Sequence, residues 1–233
     1  MKRIFTTLKL KWPEYLLEIL VITMSILGAY ALNNWNDDRK NKDREKLYLK
    51  SINEEFKDNR EQFEQITQWH TLSRDALRGI LAEYKSKAPN PDSLMKHHWR
   101  AWIPFTFNPS QSSIESLLST SSLDVIQSKE LRKLLVSWQD LAFDYQDEEI
   151  AAEAYYYDHI RPYLERNFKH SSTLQNGELV YGRKLDQTLE NMIHSRIMEL
   201  TYILENLLEN PYPENEKVRQ AMNRIIQLSE AVK

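Results

Sequence analysis

The chain has 233 residues, a formal net charge of −3 and no cysteine, which excludes disulfide frameworks and thiolate metal sites. Four glycines and eight prolines are few for a β-rich protein, and apolar residues at helical spacing predict an all-α fold. The slightly acidic balance argues against a nucleic-acid-binding protein, because such proteins neutralise phosphates with clustered basic side chains.

Residues 1–14 form a basic N-terminal segment, with four basic side chains and one acidic side chain. The stretch YLLEILVITMSILGAYAL follows, from Tyr15 to Leu32. A membrane span needs about 20 apolar residues, and Trp12 and Trp35 flank this stretch as interfacial aromatic residues do. The sequence therefore predicts a transmembrane helix over residues 15–34.

The alternative to a retained anchor is a cleaved signal peptide, with Ala29-Tyr30-Ala31 as its cleavage site. Glu18 interrupts the apolar run, and the run is long for a signal peptide, so retention is favoured. Four basic residues precede the span and five follow it closely, which leaves the positive-inside rule nearly balanced. A span this close to the N-terminus is typical of a signal anchor, and we expect the C-terminal domain outside.

Glu18, Ser25 and Ala29 lie at i, i+7 and i+11, which places them on one face of the predicted span. Ser25 and Ala29 form a small-x-x-x-small pattern that allows close helix approach. An intramembrane carboxyl group indicates a functional contact, so these three residues are a candidate contact face. The alternative is that Glu18, about one turn inside the span, reaches the lipid headgroups.

Residues 35–86 are predicted to form a long juxtamembrane helix that begins with a highly charged junction. Its second part carries a heptad seam with a 3-4 spacing, as in a coiled coil. The seam consists of Leu49, Ile52, Phe56, Asn59, Phe63, Ile66, His70, Ser73, Leu77, Ile80 and Tyr84. Its apolar stripe widens toward the end, which favours packing inside a bundle over a two-stranded coil.

Residues 87–233 are predicted to complete a bundle of about five helices. Ser112 and Glu115 have the spacing of a capping box and predict a helix start. Pro162 should kink or end a long helix that starts at Lys129. Residues 170–183 predict a loop with a possible small hairpin.

Four aromatic residues cluster after the first break in the helical pattern: Trp99, Trp102, Phe105 and Phe107. Such a cluster forms either a ligand pocket, a membrane-contact patch or a plug in the hydrophobic core. Packing in the core is the commoner case, whereas a ligand pocket is the hypothesis that would assign a function.

The sequence contains no phosphate-binding, nucleophile-elbow, zincin or EF-hand motif. None of the six histidines follows a glutamate by three residues, as di-iron helical bundles require. We therefore predict no catalytic residue, no metal site and no bound cofactor, and we do not expect an enzyme.

The run EILVI from Glu18, Gly28 and the run ALNNWNDDRK at residues 31–40 resemble the N-terminal signature of a family of single-span bacterial membrane proteins. That family is found mainly in Bacteroidota, and its function is unknown. A looser match covers residues 123–132, where Ser121-Ser122 replaces the family's Ser-Gly. The resemblance implies an inner-membrane anchor with a helical domain in the periplasm, and it implies no activity.

The leading hypothesis is a membrane-anchored interaction or scaffold protein that acts through helix–helix contacts. Its partners would be the lipid bilayer and either a second copy or another subunit of a membrane complex. One alternative is a periplasmic ligand-sensing bundle that uses the aromatic cluster and signals through a partner. A second alternative is an enzyme with an unrecognised site.

Overall fold

The computed structural model describes residues 2–88, 90–167, 185–205 and 214–230, and every regular element in this part of the chain is helical. The predicted all-α class with a long first helix is confirmed. The α-helices are α1 (Lys2–Lys85), α2 (Pro91–Ala101), α3 (Ser112–Ser119), α4 (Lys129–Tyr155), α5 (Arg161–Asn167), α6 (Gln187–Glu205) and α7 (Glu214–Glu230). The hairpin predicted over residues 170–183 lies outside the described residues.

The chain divides into two units, Met1–Tyr48 and Leu49–Lys233. This boundary falls within the segment 35–86 that the sequence presents as one helix. In the first unit, the side chains of residues 12–35 are all exposed, although most of them are apolar. By length and composition, this helix is able to cross a membrane.

In the second unit, α4 runs parallel to α1. The rings of Phe56 and Trp138 are 5.0 Å apart, and those of Phe63 and Tyr145 are 5.3 Å apart. A step of seven residues along α1 thus matches a step of seven along α4. Two parallel helices require the chain to travel back between them, and residues 102–111, an extended stretch that we term the crossover segment, make this return.

α6 and α7 run antiparallel to α1 and follow each other along it. α6 contacts the end of α1 through ion pairs of Arg74 with Glu205 and of Lys85 with Glu190. α7 contacts the preceding part of α1 through side-chain hydrogen bonds that include Asn53–Ser229 (2.9 Å), Glu64–Arg219 (2.7 Å) and Thr67–Asn215 (3.3 Å). The heptad face of α1 is therefore covered by helices of the same chain.

The heptad seam is buried almost along its whole length, as the sequence predicts. Ile66 and Tyr84 are partly buried. The other apolar members are at most 4 % exposed: Leu49, Ile52, Phe56, Phe63, Leu77 and Ile80. The three polar members Asn59, His70 and Ser73 are equally buried. Since buried polar groups require hydrogen-bond partners, these three positions must be satisfied from inside the bundle.

The helix start predicted at Ser112 is confirmed, because α3 begins there, but Ser112 and Glu115 do not form a capping box. Gln111 precedes α3 without a capping hydrogen bond from its side chain, and Glu115 is exposed. Glu55 of α1 takes the capping role, because its carboxylate accepts the Ser113 N–H at 2.9 Å and the Ser112 hydroxyl. A carboxylate at a helix N-terminus also interacts favourably with the helix dipole.

The interruption predicted at Pro162 takes the form of a π turn over Tyr156–Ile160, between α4 and α5. Proline has no N–H, and its ring clashes with the carbonyl group four residues earlier in a regular α-helix. The wider π turn just before Pro162 accommodates both defects. Consequently, α5 continues the helical course that α4 begins.

Candidate functional site

The three polar residues of the heptad seam bind the backbone around the crossover segment. An extended backbone has no helix or sheet to satisfy its N–H and C=O groups, so other groups must do so. From α1, the hydrogen bonds are Ser73 Oγ to Ala101 O (2.6 Å), His70 Nε2 to Phe105 O (3.0 Å), Asn59 Nδ2 to Ser110 O (2.8 Å) and Ser110 N to Asn59 Oδ1 (2.8 Å). The three polar residues of the seam therefore fix the crossover segment against α1.

Two side chains of α4 complete this arrangement at Phe107. The carboxylate oxygen Oε2 of Glu149 accepts the Phe107 N–H at 2.6 Å, and Gln146 Nε2 donates to the Phe107 carbonyl at 2.7 Å. The Phe107 ring is fully buried and lies edge-on to Phe63, with centroids 5.1 Å apart. The crossover segment is therefore clamped between the parallel helices α1 and α4.

His70 and Glu149 form a buried acid–base pair, with Nε2 and Oε1 3.5 Å apart and side-chain exposures of 3 % and 0 %. Burial lowers the pKa of His70 to about 4, against the opposing effect of its hydrogen bond to Phe105. Burial raises the pKa of Glu149 to about 8, against the opposing effect of the Phe107 N–H. Near neutral pH both side chains are therefore uncharged.

The His70–Glu149 pair is buried inside the bundle, and this burial limits its possible chemical roles. The Nε2–H of His70 donates to the Phe105 carbonyl oxygen, because a carbonyl oxygen can only accept a hydrogen bond. General acid–base catalysis needs a substrate within hydrogen-bond reach, and neither side chain is accessible. In this structure the pair therefore fixes the crossover segment.

Replacing Asn59 with alanine should lower the free energy of unfolding by about 1–2 kcal/mol, because it removes two hydrogen bonds from a buried site. Urea unfolding of the full chain, followed by circular dichroism, measures this loss. Gln68→Ala is the control, because Gln68 is an exposed amide side chain on the same helix α1. Equal losses in the two variants would contradict the proposed clamp.

The four aromatic residues of the predicted pocket do not come together. Trp99 is 67 % exposed, whereas Trp102 is buried. Phe105 stacks on Trp69 with centroids 5.1 Å apart, and Phe107 packs against Phe63. The four side chains therefore have different surroundings, because α2 ends at Ala101 and the following segment passes along α1.

The sequence-based prediction of one aromatic pocket therefore does not agree with this geometry. Trp102 belongs to the hydrophobic core and donates its Nε1–H to His98 Nδ1 at 3.1 Å. The cavity beside it has a volume of about 10 Å³, which is no larger than a water molecule requires.

The predicted contact face of Glu18, Ser25 and Ala29 is exposed along the helix of the first unit. The Ser25 hydroxyl donates to the Val21 carbonyl at 2.7 Å, so it is satisfied within its own helix. Ser25 and Ala29 therefore form a surface of small side chains, in which the Ser25 hydroxyl already has a hydrogen-bond partner. The role of this face as a contact site stays a prediction.

A surface row that runs along α4 and ends in the following π turn was not predicted from the sequence. Four large apolar side chains, each seven positions after the previous one, are exposed: Val136 (52 %), Phe143 (63 %), Ile150 (53 %) and Tyr157 (44 %). We term them the apolar row. The inward stripe of α4, which includes Leu135, Trp138 and Ala142, is separate and fully buried. The seven-residue spacing of a second stripe is the signal that indicates this row in the sequence.

An open groove of about 500 Å³ lies between α4 and α6, lined by Glu148, Ala151, Ala152, Met198, Glu199, Tyr202 and Ile203. Beneath it, the buried guanidinium of Arg196 donates to the Ala152 carbonyl at 3.3 Å and to Glu199 at 3.2 Å. Burial raises the pKa of Glu199. Within the described residues, no group of three or more His, Asp or Glu side chains is arranged to hold a metal ion.

Comparison with known proteins adds no assignment to this geometry. No protein-family model, curated protein or solved structure matches the chain. The resemblance of residues 18–40 to single-span bacterial membrane proteins therefore stays a prediction.

Proposed function

We propose that this protein is a membrane-anchored helical interaction protein, which binds a protein partner through helix–helix contacts. In this proposal, residues 15–34 cross the inner membrane of a bacterium, and residues 49–233 form the interaction domain in the periplasm. The partner is a subunit of a membrane complex.

The observation that carries the proposal is the complete exposure of the apolar side chains between residues 12 and 35. A helix of this length that is apolar on all sides is unfavourable in water, because it buries none of its apolar surface. A bilayer provides an apolar solvent of matching thickness. Trp12 and Trp35 at the two ends suit the membrane–water interfaces.

An interaction role is favoured over a catalytic or sensing role by the surfaces that remain accessible. The heptad seam of α1 is occupied by the chain's own helices, so it is not available to a second protein. The acid–base pair of His70 and Glu149 is sealed, and the aromatic residues do not share a pocket. The surfaces that remain accessible include the face at Glu18, the apolar row of α4 and the groove between α4 and α6.

The membrane anchor is tested by expressing the full chain in a bacterial host with topology reporters at its C-terminus. We expect the protein in the membrane pellet after an alkaline wash, and an active C-terminal phosphatase reporter. Val21→Arg combined with Leu27→Arg should remove most of it from the pellet, because each arginine costs about 2.5–3.5 kcal/mol within a span.

Leu47→Arg is the matched control, since Leu47 is 71 % exposed beyond the predicted span. Recovery of the unmodified chain in the soluble fraction would contradict the anchor, as would a mature chain shortened at Ala31. The interaction role is tested separately by purification in mild detergent with a photo-crosslinker at Glu18. Recovery of monomer alone would count against it.

A further inference from the structure

We propose that the apolar row of α4, together with the carboxylates beside it, is the docking surface for a basic amphipathic helix of a partner protein. This inference rests on the proposed interaction function and specifies the chemistry of the partner. The partner helix would present apolar residues at seven-residue spacing, with lysine or arginine on the flank.

The geometry of the row suits a helix. Val136, Phe143, Ile150 and Tyr157 repeat at the spacing of one position of a heptad, which keeps them on one side of the helix. From first to last they extend over about 30 Å, the length of a partner helix of about 20 residues. Single exposed apolar residues are ordinary, but four at a regular heptad spacing, about 10 Å apart along the helix, match one repeating position of a partner helix.

The charges beside the middle of the row select the partner, whereas basic side chains adjoin its two ends. Lys133 lies three residues before Val136, and the Arg161 guanidinium lies 5.7 Å from the centre of the Tyr157 ring. Asp140 and Asp147 each lie four residues after a member of the row, so they adjoin it on the helix surface. Both are exposed, as is Asp144, and no ion pair joins any of these three to another described residue.

Elsewhere in the second unit, many exposed carboxylates form ion pairs with arginine. Glu130 contacts Arg224 at 2.6 Å and Glu64 contacts Arg219 at 2.7 Å. The acidic side chains next to the apolar row therefore lack the counter-charges that the fold supplies nearby. A basic partner helix would supply them and would gain association rate and specificity from this complementarity.

The same charges disfavour two other occupants. A second copy in antiparallel pairing would place Asp147 beside its own equivalent and Asp140 opposite Glu153, and only its ends would bring Lys133 toward Asp158. A parallel second copy would align like charges along the whole row. An anionic lipid surface is repelled by the same carboxylates.

The test uses the purified full chain in phosphatidylcholine nanodiscs, with empty nanodiscs as the blank. The probe is a fluorescent synthetic helix of about 28 residues, four heptads, with leucine at one heptad position and lysine on both flanks. A matched peptide carries glutamate in place of lysine. Fluorescence anisotropy should show the lysine peptide binding about 10-fold more tightly or better, because charge complementarity excludes the acidic one.

Phe143→Ser combined with Ile150→Ser should weaken binding of the lysine peptide by about 10-fold or more, since central apolar anchors dominate such contacts. Asp140→Asn combined with Asp147→Asn should weaken it by about 3-fold to 10-fold and reduce its salt dependence. Met198→Ser is the control and should leave binding unchanged, because Met198 is equally exposed but lies on α6.

Equal binding of the two peptides overturns the proposal, as does unchanged binding after the paired serine substitutions. A crosslinked dimer that disappears with Phe143→Ser identifies a second copy as the occupant and also overturns it. A chain that fractionates as a soluble protein overturns the proposed membrane function. The peptide measurement on the purified chain then still decides the docking surface.

Discussion

Replacing Trp138 with alanine is expected to lower the free energy of unfolding of the second unit by about 3–5 kcal/mol, the range for a large aromatic residue in a core. Trp138 is fully buried and lies edge-on to Phe56 of α1, with centroids 5.0 Å apart. The substitution removes the contact that holds the start of α4 against α1. Urea unfolding of the full chain in uncharged detergent, followed by circular dichroism, measures the change.

Trp99→Ala is the control for this prediction, because Trp99 is 67 % exposed and its loss should change stability by less than about 0.5 kcal/mol. Trp138→Phe should cause a loss of stability between those of Trp138→Ala and Trp99→Ala. It shrinks the side chain but also removes a buried indole N–H that has no hydrogen-bond partner among the described residues. Similar stability for Trp138→Ala and Trp99→Ala would contradict the packing of α4 on α1.

The heptad pattern of α1 was readable from the sequence because one face of a helix repeats with a fixed period. The same pattern located Asn59, His70 and Ser73 as buried polar positions. It did not identify their partners, because those partners lie on a segment without periodicity. Only the parallel course of α1 and α4 brings the crossover segment between the two helices.

Other features depend on the tertiary arrangement for the same reason. Glu55 caps α3 from a distant position in the chain, so the local spacing of Ser112 and Glu115 does not identify the capping residue. The aromatic residues between Trp99 and Phe107 are close in sequence, but the end of α2 separates them in space. By contrast, the apolar row of α4 follows a simple spacing and was detectable beside the inward stripe.

Raising the pH from about 6.5 to about 8 is expected to lower the stability of the wild-type second unit by about 2 kcal/mol through Glu149. The pKa of Glu149 is raised from 4.5 to about 8 in the folded state, so the folded chain retains a proton that the unfolded chain releases. Its stabilising contribution is therefore complete below pH 4.5 and is lost as the pH rises toward 8.

His70 acts in the opposite direction over a lower range. Its pKa falls from 6.5 to about 4 on folding, so it contributes stability that increases as the pH rises from about 4 to 6.5. Between pH 4.5 and 6.5 the stabilising contribution of His70 increases while that of Glu149 decreases, so the two changes in stability offset each other. Above pH 6.5 only the decline caused by Glu149 remains.

Glu149→Gln separates the two groups, because the amide oxygen still accepts the Phe107 N–H but the side chain cannot ionise. Urea unfolding at closely spaced pH values should show the decline between pH 6.5 and 8 in the wild type and its absence in Glu149→Gln. The variant should instead gain stability between pH 4 and 6.5, where His70 titrates alone. Glu54→Gln, at an exposed position of α1, should keep the wild-type profile. A decline that persists in Glu149→Gln would show that another group is responsible, and the buried pair would then not control the clamp.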